Sequence, residues 1–483
     1  MKKQRIPFPL KEKDPDDLLH QLREGKQKDA SWETGKMFGF VYYPEERITK
    51  VMKTVCELYG FENALNPTVF RSIAKLENET VEMVSDLLNG DEEVAGNVTT
   101  GGTESILLAL KVARDRSRKL NPGILQPEII VPESAHPAFH KAAHFLGLKT
   151  VMLPLDSQYQ ADLNRLPDLV NKNTVLIVGS APSYPHGIID PIEKMGQFAS
   201  EHGLLFHVDA CLGGFMLPFI VKLGYPVPAF DFRVAGVTSI SADLHKFGYG
   251  MKGSSVILYR TNEMRRYQFF THSRWSGGLF GSPTLMGSRS GAPAAAGWTI
   301  LNLLGMEGYL SMTRKTMEAV ETLQANIRSI EGIHIVGNPL TSVFSFTSDR
   351  QDIFLISDEL ESRGWIFDRI SQPEAIHLIV TMPNIGHIDA FIEDLQKAVN
   401  AVKGTRMKKI ASEMKRKMAN HMMDMFPGQA TSFLGSLAAR AMKKASPDSH
   451  KGTSSFYGIA ASREKRSDID ELITDFLDKM YSK

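Results

Sequence analysis

The sequence predicts an α/β protein, in which a mostly parallel sheet covered by helices is followed by a smaller α+β domain. Two observations predict this fold class. From Asp91 to Val208, short apolar stretches alternate with segments of helical periodicity, which is typical of parallel strands joined by crossover helices. After a long predicted helix at Met306–Ile330, strands and helices alternate again over a shorter span.

The length of the chain predicts more than one domain. A chain of 483 residues is too long for one small core, so two domains plus extensions is the natural division. We expect an N-terminal extension at 1–60, a large domain at 61–305, and a linker helix with a small C-terminal domain at 306–483.

The elements of the large domain follow from apolar periodicity and from turn residues. Helices are predicted before it at Pro15–Lys26 and Pro44–Tyr59, and at its start at Ser72–Asn89. Its strands are predicted at Val94–Val98, Glu128–Val131, Thr150–Leu153, Thr174–Val178, Leu204–Val208, Arg233–Ile240 and Ser254–Tyr259. The helices between them are predicted at Ile106–Lys119, His136–Leu146 and Pro191–His202, and residues 262–300 are predicted to be irregular.

The C-terminal third is predicted to be a small α+β domain with a basic tail. Its elements are strands Ile333–Val336, Ser342–Thr347 and Ala375–Val380, with helices Ile353–Arg363 and Ile388–Val402. The Lys-rich tail at 405–445 is interpreted as a solvated helical face, and contact with a membrane surface is the alternative. A final helix, Ser467–Tyr481, has an apolar stripe that we expect to be buried against this domain or a second subunit.

Composition and charge exclude several classes of protein. The net charge of +1 gives no reason to expect a nucleic-acid partner. Cys56 and Cys211 are the only cysteines, which excludes a disulfide framework and a cysteine-based metal site and indicates a reducing compartment. No apolar run approaches the roughly 20 residues of a membrane span. We therefore expect a soluble, cytoplasmic protein without a transmembrane segment, and leave secretion into a host cell open.

The loop at Ser239–Ser255 carries Lys246, the central residue of the candidate site. It joins two predicted strands and contains Lys246, with Lys252 six residues later among several glycines. A lysine enclosed by apolar strands is partly desolvated, which lowers its pKa and leaves an amine able to form a Schiff base. The alternative is a surface loop with two solvated lysines.

Other polar residues follow the predicted strands at the edge where parallel sheets bind ligands. Gly101-Gly102-Thr103 precedes a helix whose N-terminus suits a phosphate, although Thr103 alone could be a plain helix cap. His136 opens the next helix, and Asp209 ends a strand where a buried carboxylate needs a partner. With His245 and Lys246, this set matches pyridoxal 5′-phosphate: helix N-terminus for phosphate, imidazole on the ring, carboxylate on the ring nitrogen, and lysine as Schiff base.

Three motifs resemble those of the sphingosine-1-phosphate lyases. They are Gly179-Ser-Ala-Pro-Ser-Tyr-Pro-His-Gly-Ile-Ile-Asp190, His207-Val-Asp-Ala-Cys-Leu-Gly-Gly-Phe215 and Thr238-Ser-Ile-Ser-Ala-Asp-Leu-His-Lys-Phe-Gly-Tyr249. Those lyases are pyridoxal-phosphate enzymes of fold type I within the wider group of amino-acid decarboxylases. The resemblance runs from about Gly35 to Ala461.

The resemblance implies a role for each matching residue. Lys246 would carry the Schiff base, Asp209 would pair with the ring nitrogen, and His136 would stack on the ring. Gly102, Thr103 and His245 would hold the cofactor phosphate, with Ser282 contributed by the neighbouring subunit of a homodimer with shared active sites. Tyr184 would move the proton of the substrate hydroxyl.

A second set implied by the resemblance would bind the phosphate of the substrate. Lys252 and Arg289, with Tyr42 and Asn63, would grip that phosphate, and Tyr457 would close over the site. The family has a histidine where this chain has Asn66, so the grip on the substrate or the rate is expected to differ.

The expected function is that of a homodimeric lyase. It would split the Cα–Cβ bond of a phosphorylated sphingoid base into a long-chain aldehyde and phosphoethanolamine. An amino-acid α-decarboxylase shares every cofactor residue and is the nearest alternative. A catalytically silent relative that binds phospholipid headgroups through its basic tail is a third.

Overall fold

The computed structural model describes residues 6–403 and 466–481. The helices are α1 (Pro15–Lys26), α2 (Glu46–Tyr59), α3 (Arg71–Leu87), α4 (Gly102–Leu120), α5 (Ala138–Leu146), α6 (Leu166–Leu169), α7 (Ile192–Glu201), α8 (Leu217–Lys222), α9 (Asn262–Arg266), α10 (Ala292–Ser329), α11 (Ile353–Glu361), α12 (Ile388–Val402) and α13 (Arg466–Tyr481). The strands are β1 (Ala95–Thr99), β2 (Glu128–Pro132), β3 (Lys149–Leu153), β4 (Thr174–Ser180), β5 (Leu205–Asp209), β6 (Ser239–Ala242), β7 (Ser255–Tyr259), β8 (Phe270–Trp275), β9 (Gly278–Ser282), β10 (Ile333–Ile335), β11 (Val343–Ser348), β12 (Asp368–Ser371) and β13 (Glu374–Ile379).

The central sheet confirms the predicted α/β class. Within the described residues it has seven strands in the order β1-β7-β6-β5-β4-β2-β3. The pairs among β2 to β6 are parallel, whereas β7 runs antiparallel to both of its neighbours. The chain reaches β7 through the loop at residues 243–254, which contains no crossover helix of the kind that usually joins parallel neighbours. All strands of this sheet except β7 therefore end at the edge that carries Thr99, Ser180 and Asp209.

Helices cover both faces of this sheet. Ile129 and Val131 pack in one apolar cluster with α4 and α5, and Ile130 between them packs in a second cluster on the other face. Alternate residues of a strand point to opposite faces, so a strand that is buried throughout must have a layer on each side. Such strands are continuous apolar runs in the sequence because both of their faces are buried.

The C-terminal sheet (β10 to β13) is wholly antiparallel, with the order β10-β11-β13-β12. It packs against α11 and α12 around its own apolar cluster, which includes Phe344, Trp365 and Phe391. The helix leading to it begins at Ala292 rather than at the predicted Met306, with a break at Gly305, whose φ is +52°.

Three sequence-based predictions of strands were wrong. The strand predicted at Arg233–Ile240 begins only at Ser239, because the Asp231 carboxylate accepts hydrogen bonds from the backbone and guanidinium of Arg233 and holds a turn there. The β8–β9 hairpin lies in a stretch predicted to be irregular. The short polar strand β12 was missed because Asp-Arg-Ile-Ser lacks strand periodicity.

No helix in the described parts of the chain is sufficiently long and apolar to cross a bilayer. The basic tail at 405–445 and Tyr457 lie outside the described residues.

Candidate active site

A cleft of about 520 Å³ opens at the carboxyl ends of the parallel strands. It collects residues that the sequence analysis selected from five separate segments. They are Gly102, Thr103, His136, Tyr184, Asp209, His245 and Lys246. This volume lies within the roughly 300–1,000 Å³ that small-molecule sites occupy.

The phosphate-binding end of the cleft is the N-terminus of α4. Gly101 adopts a φ of +147°, and the first backbone N–H groups of the helix have no acceptor within the helix itself. A Cβ atom at Gly102 would lie 2.8 Å from the Cys211 sulfur and 2.9 Å from both Asp243 carboxylate oxygens. Only glycine therefore lets this helix end approach the Lys246 loop so closely.

Glu104 fixes the loop in front of that helix. Its Oε2 atom accepts hydrogen bonds from the backbone N–H of Thr100, at 2.7 Å, and from the Thr100 hydroxyl, at 2.6 Å. Its Oε1 atom accepts from the backbone N–H of Leu285, which lines the same cleft, at 2.7 Å. This buried carboxylate thus ties two walls of the cleft together.

Lys246 is partly buried, with 23% of its side chain exposed, and is paired with a carboxylate to which the sequence analysis gave no role. Its Nζ atom lies 2.9 Å from Oδ2 of Asp243, three residues earlier in the chain. Burial alone would lower the pKa of Lys246, but the attraction of Asp243 outweighs it and raises that pKa above its ordinary value. Our prediction that the pKa of Lys246 is lowered was therefore wrong. The negative charge of Asp243 has a larger effect on this pKa than burial has.

Asp209 is held in place by a chain of buried groups. Its Oδ1 atom accepts hydrogen bonds from the backbone N–H of Cys211, at 3.0 Å, and from the Ser241 hydroxyl, at 3.3 Å. His207 lies behind, with its Nε2 atom 3.3 Å from the Ser241 hydroxyl and its Nδ1 atom 2.9 Å from that of Ser239. Burial lowers the pKa of His207 to about 4, so this imidazole is neutral near pH 7.

His136 is oriented for contact with a planar ligand. Its Nδ1 atom accepts a hydrogen bond from the backbone N–H of Ala138 at 3.1 Å. Burial lowers the pKa of His136, while Asp209 opposes that shift. The neutral ring therefore carries its proton on Nε2, and it lies edge-on to the Tyr184 ring at 6.4 Å.

Tyr184 connects the cleft with the C-terminal sheet. Its hydroxyl donates a hydrogen bond to Asp368 on β12. Its ring lies 4.4 Å from that of His377 on β13, and its backbone carbonyl accepts a hydrogen bond from His377 Nε2 at 2.7 Å. Neither Asp368 nor His377 was selected from the sequence, because both belong to strands far from the motifs.

Four described residues expected to bind the substrate phosphate lie outside the lining of this cleft and form two groups. In the first, Lys252 Nζ lies 4.9 Å from the centre of the Tyr42 ring, next to the Lys246 loop. Burial, with help from Lys246, lowers the pKa of Lys252. Burial raises the pKa of Tyr42 to about 12.

In the second group, Arg289 and Asn63 are adjacent but engaged. Arg289 makes a two-pronged ion pair with Glu77, and its backbone N–H donates to Asn63 at 3.3 Å. The Asn66 side chain accepts hydrogen bonds from the backbone and hydroxyl of Thr68, at 3.1 and 2.7 Å, which caps a local turn. Ser282 lies at the end of the β8–β9 hairpin and donates to the Thr284 carbonyl.

The donor set of the cleft fits pyridoxal 5′-phosphate. The glycine at position 102 leaves room that a side chain would fill, at a helix end that favours an anion. A primary amine, a buried carboxylate and a neutral imidazole line the same space. These are the groups that this cofactor uses for its aldehyde, its ring nitrogen and its ring face.

Comparison with known proteins gives the same result. Residues 52–348 match the family model described as the pyridoxal-dependent decarboxylase conserved domain. The chain is 39% identical to the sphingosine-1-phosphate lyase of Arabidopsis thaliana over 96% of this chain and 79% of that protein. It is 37% identical to that of Saccharomyces cerevisiae over 96% of this chain and 74% of that protein.

The chain belongs to the sphingosine-1-phosphate lyase family. Among solved structures, the Burkholderia pseudomallei sphingosine-1-phosphate lyase superposes with a TM-score of 0.80 at 40% identity, covering 85% of this chain and 96% of that one. The Lactobacillus brevis glutamate decarboxylase has a TM-score of 0.72 at 20% identity, covering 84% of this chain and 97% of that one, which shows the shared fold alone. As a member of this lyase family the chain is an enzyme that uses pyridoxal 5′-phosphate.

Proposed function

We propose that this chain cleaves the Cα–Cβ bond of phosphorylated sphingoid bases such as sphingosine 1-phosphate. The products are a long-chain aldehyde and phosphoethanolamine. The observation that carries this proposal is the identity of 37–39% with curated sphingosine-1-phosphate lyases over 96% of the chain. An amino-acid decarboxylase of the same fold shares far less of the sequence.

The cofactor, when bound, supplies an electron sink at the α-carbon of the substrate. Lys246 holds its aldehyde, and Asp209 keeps a proton on its ring nitrogen. Gly102, Thr103 and His245 bind its phosphate, and the neutral ring of His136 stacks on its face. Tyr184 takes the proton from the substrate's β-hydroxyl. The support for these roles is that all seven side chains or backbones line one cleft.

The substrate phosphate is assigned to cations beside the cleft. Lys252 and Tyr42 lie next to the Lys246 loop, and Arg289 with Asn63 forms the second group. We further propose that Ser282 reaches the cofactor phosphate of a neighbouring subunit and that Tyr457 closes over the site. Asn66 is expected to hold the turn that begins three residues after Asn63, since its side chain accepts hydrogen bonds from Thr68.

Substitution of Arg289 tests whether this residue binds the substrate phosphate, and its ion pair with Glu77 must be controlled for. We expect Arg289→Ala to raise the KM for sphingosine 1-phosphate by roughly tenfold or more, since a hydrogen bond to a charged group is worth about 1.5–3 kcal/mol. Cofactor affinity, measured by titration of the apoprotein, should stay unchanged. The double variant Glu77→Ala/Arg289→Ala controls for the unpaired carboxylate, and an unchanged KM in both would contradict the assignment.

A homodimer is proposed because the β8–β9 hairpin is exposed and apolar. Phe270, Trp275 and Leu279 are 55%, 54% and 87% exposed, and an isolated two-stranded hairpin is barely stable in water. A second copy of the chain would cover these side chains and would bring Ser282 to its active site.

Leu279→Asp is therefore expected to shift the protein from dimer to monomer in sedimentation experiments and to reduce turnover. Leu125→Asp is the matched control, because Leu125 is 93% exposed on a different surface. A dimer that survives Leu279→Asp with full activity would contradict this interface.

The domain division at 1–60, 61–305 and 306–483 remains our proposal. The break in α10 at Gly305 supports the second boundary. Limited proteolysis of the folded protein near this position would test it.

The proposed reaction is tested by incubating the purified protein and its cofactor with sphingosine 1-phosphate. We expect a long-chain aldehyde and phosphoethanolamine by mass spectrometry. No aldehyde despite bound cofactor would contradict the proposal. Carbon dioxide release from a panel of acidic and phosphorylated amino acids would favour the decarboxylase alternative, and failure to bind the cofactor would favour the silent headgroup binder.

A further inference from the structure

The C-terminal sheet presents a row of three polar side chains to the segment that carries Tyr184. Ser345 on β11 pairs with His377 on β13, and His377 pairs with Asp368 on β12. Directly paired residues of antiparallel strands have neighbouring side chains on the same face of a sheet. The register of three strands therefore sets these side chains side by side.

Each member of this row contacts the segment Tyr184–Pro185. The Ser345 hydroxyl donates to the Pro185 carbonyl at 2.6 Å, and His377 Nε2 donates to the Tyr184 carbonyl at 2.7 Å. The third member, Asp368, accepts the hydrogen bond of the Tyr184 hydroxyl. Two contacts thus fix the backbone, and the third reaches the reactive end of the side chain.

The strand neighbours of Asp368 do not compete with Tyr184 for its carboxylate. His377 is buried, and burial lowers its pKa to about 4, so this neighbour is neutral near pH 7. Arg369 follows Asp368 in the strand, and adjacent side chains point to opposite faces. Its guanidinium is paired with Glu361 at 2.7 Å and with Asp358 at 3.3 Å. Tyr42 also interacts electrostatically with Asp368, and burial raises the pKa of Tyr42 to about 12.

We propose that Asp368 is the final acceptor of the proton that leaves the substrate hydroxyl. This inference rests on the proposed function. As the substrate C–C bond breaks and its hydroxyl becomes the aldehyde carbonyl, the hydroxyl proton passes to the Tyr184 oxygen and the proton of Tyr184 passes to Asp368. The O–H electron pair forms the carbonyl bond, and the C–C pair stays with the α-carbon. Asp368 returns the proton through Tyr184 when the site reopens to solvent.

As the acceptor of the Tyr184 proton, a carboxylate is better suited than a neutral group would be. A phenol oxygen can accept a hydrogen bond while its proton is donated to a carboxylate, so Tyr184 can in principle receive the substrate hydroxyl in this arrangement. Because Asp368 takes the proton of Tyr184 during the reaction, Tyr184 does not have to be ionised beforehand. A carboxylate that served only to join the two sheets would need no such alignment with a cleft residue.

The test compares Asp368→Asn, Asp368→Ala, Tyr184→Phe and the double variant Tyr184→Phe/Asp368→Asn, each as holoenzyme with sphingosine 1-phosphate. Glu393→Gln, an exposed carboxylate on α12, is the matched control. We expect kcat of Asp368→Asn to fall about a hundredfold, the size of a lost acid–base contribution, with KM unchanged. The double variant should be no slower than the slower single variant, because both residues serve one proton path.

Two further readouts separate a proton acceptor from a structural contact. Sodium formate should restore part of the kcat of Asp368→Ala, where the vacated space admits a small carboxylate, and should not restore Asp368→Asn. Apoprotein unfolding and cofactor binding should match those of the control.

Three results would overturn the relay while leaving the proposed function intact. They are a normal kcat in Asp368→Asn, a loss confined to KM or to stability, and losses that multiply in the double variant. A wild-type protein that forms no aldehyde would instead overturn the proposed function, and the relay with it.

Discussion

Lys246→Ala is expected to abolish covalent attachment of the cofactor and to reduce turnover by at least about a thousandfold, as loss of a covalent catalytic residue does elsewhere. Borohydride reduction of the wild type followed by peptide mass spectrometry should place the bond at Lys246. The same treatment of the variant should leave no cofactor on the chain. Covalent cofactor at another lysine would contradict the assignment.

Lys246→Ala is also expected to lower the stability of the fold, because it removes the cation that pairs with Asp243. This carboxylate is buried and lies 2.9 Å from the Lys246 amine, so removing the amine leaves a buried charge unpaired, at a cost on the order of 3–5 kcal/mol. Lys246→Ala/Asp243→Asn should recover much of the lost thermal stability of the apoprotein in calorimetry. A single variant as stable as the wild type would show that water replaces the amine.

The pH range of this effect follows from the direction of each shift. Burial opposes the ionisation of Asp243, but Lys246 outweighs it and lowers the Asp243 pKa, so its contribution is present above the ordinary aspartate pKa and is lost as pH falls. The pKa of Lys246 is raised, so its contribution is present below the ordinary lysine pKa and is lost as pH rises further. The contribution of this pair to the stability of the wild type should therefore be constant between about pH 5 and pH 9. In the variant, burial raises the pKa of the unpaired Asp243, so the stability difference should grow with pH until that carboxyl is fully ionised.

Asp209→Ala is expected to abolish turnover and to leave the fold mostly intact. The carboxylate is proposed to keep the cofactor ring nitrogen protonated, and without it the ring is a poor electron sink. The backbone at Asp209 pairs with the neighbouring strands through main-chain bonds that the substitution leaves in place. Circular dichroism of the bound cofactor should change, while far-ultraviolet dichroism should not.

Ser241→Ala is the matched control for this prediction. It removes one hydrogen bond to Asp209 and leaves the carboxylate in place, so its effect should be far smaller. Near-normal activity in Asp209→Ala would mean that another group serves as the partner of the ring nitrogen.

The cofactor side of the site was predictable because its residues follow parallel strands. Gly102 and His136 come soon after a strand end, Asp209 is the last residue of its strand, and parallel strands bring such ends to one edge. Sequence order alone therefore indicated their proximity, and one cleft contains them.

The parts that could not be predicted depend on pairings between distant segments. Arg289 is engaged by Glu77 and Tyr184 by Asp368, and nothing in the local pattern of either residue indicates its partner. The pKa of Lys246 was predicted in the wrong direction because burial was considered without Asp243. Electrostatic balance at a buried site depends on the nearest charge, which a linear pattern does not reveal.

The row of Ser345, His377 and Asp368 has a consequence for how the enzyme matures during synthesis. The ribosome completes the cleft residues up to Lys246 before it adds the strands that hold His377 and Asp368. A nascent or truncated chain that stops before β12 therefore has the groups for binding the cofactor but lacks the proposed proton acceptor. On the proposed role of Asp368, lipid cleavage at the full rate requires that the last sheet has folded in its correct register.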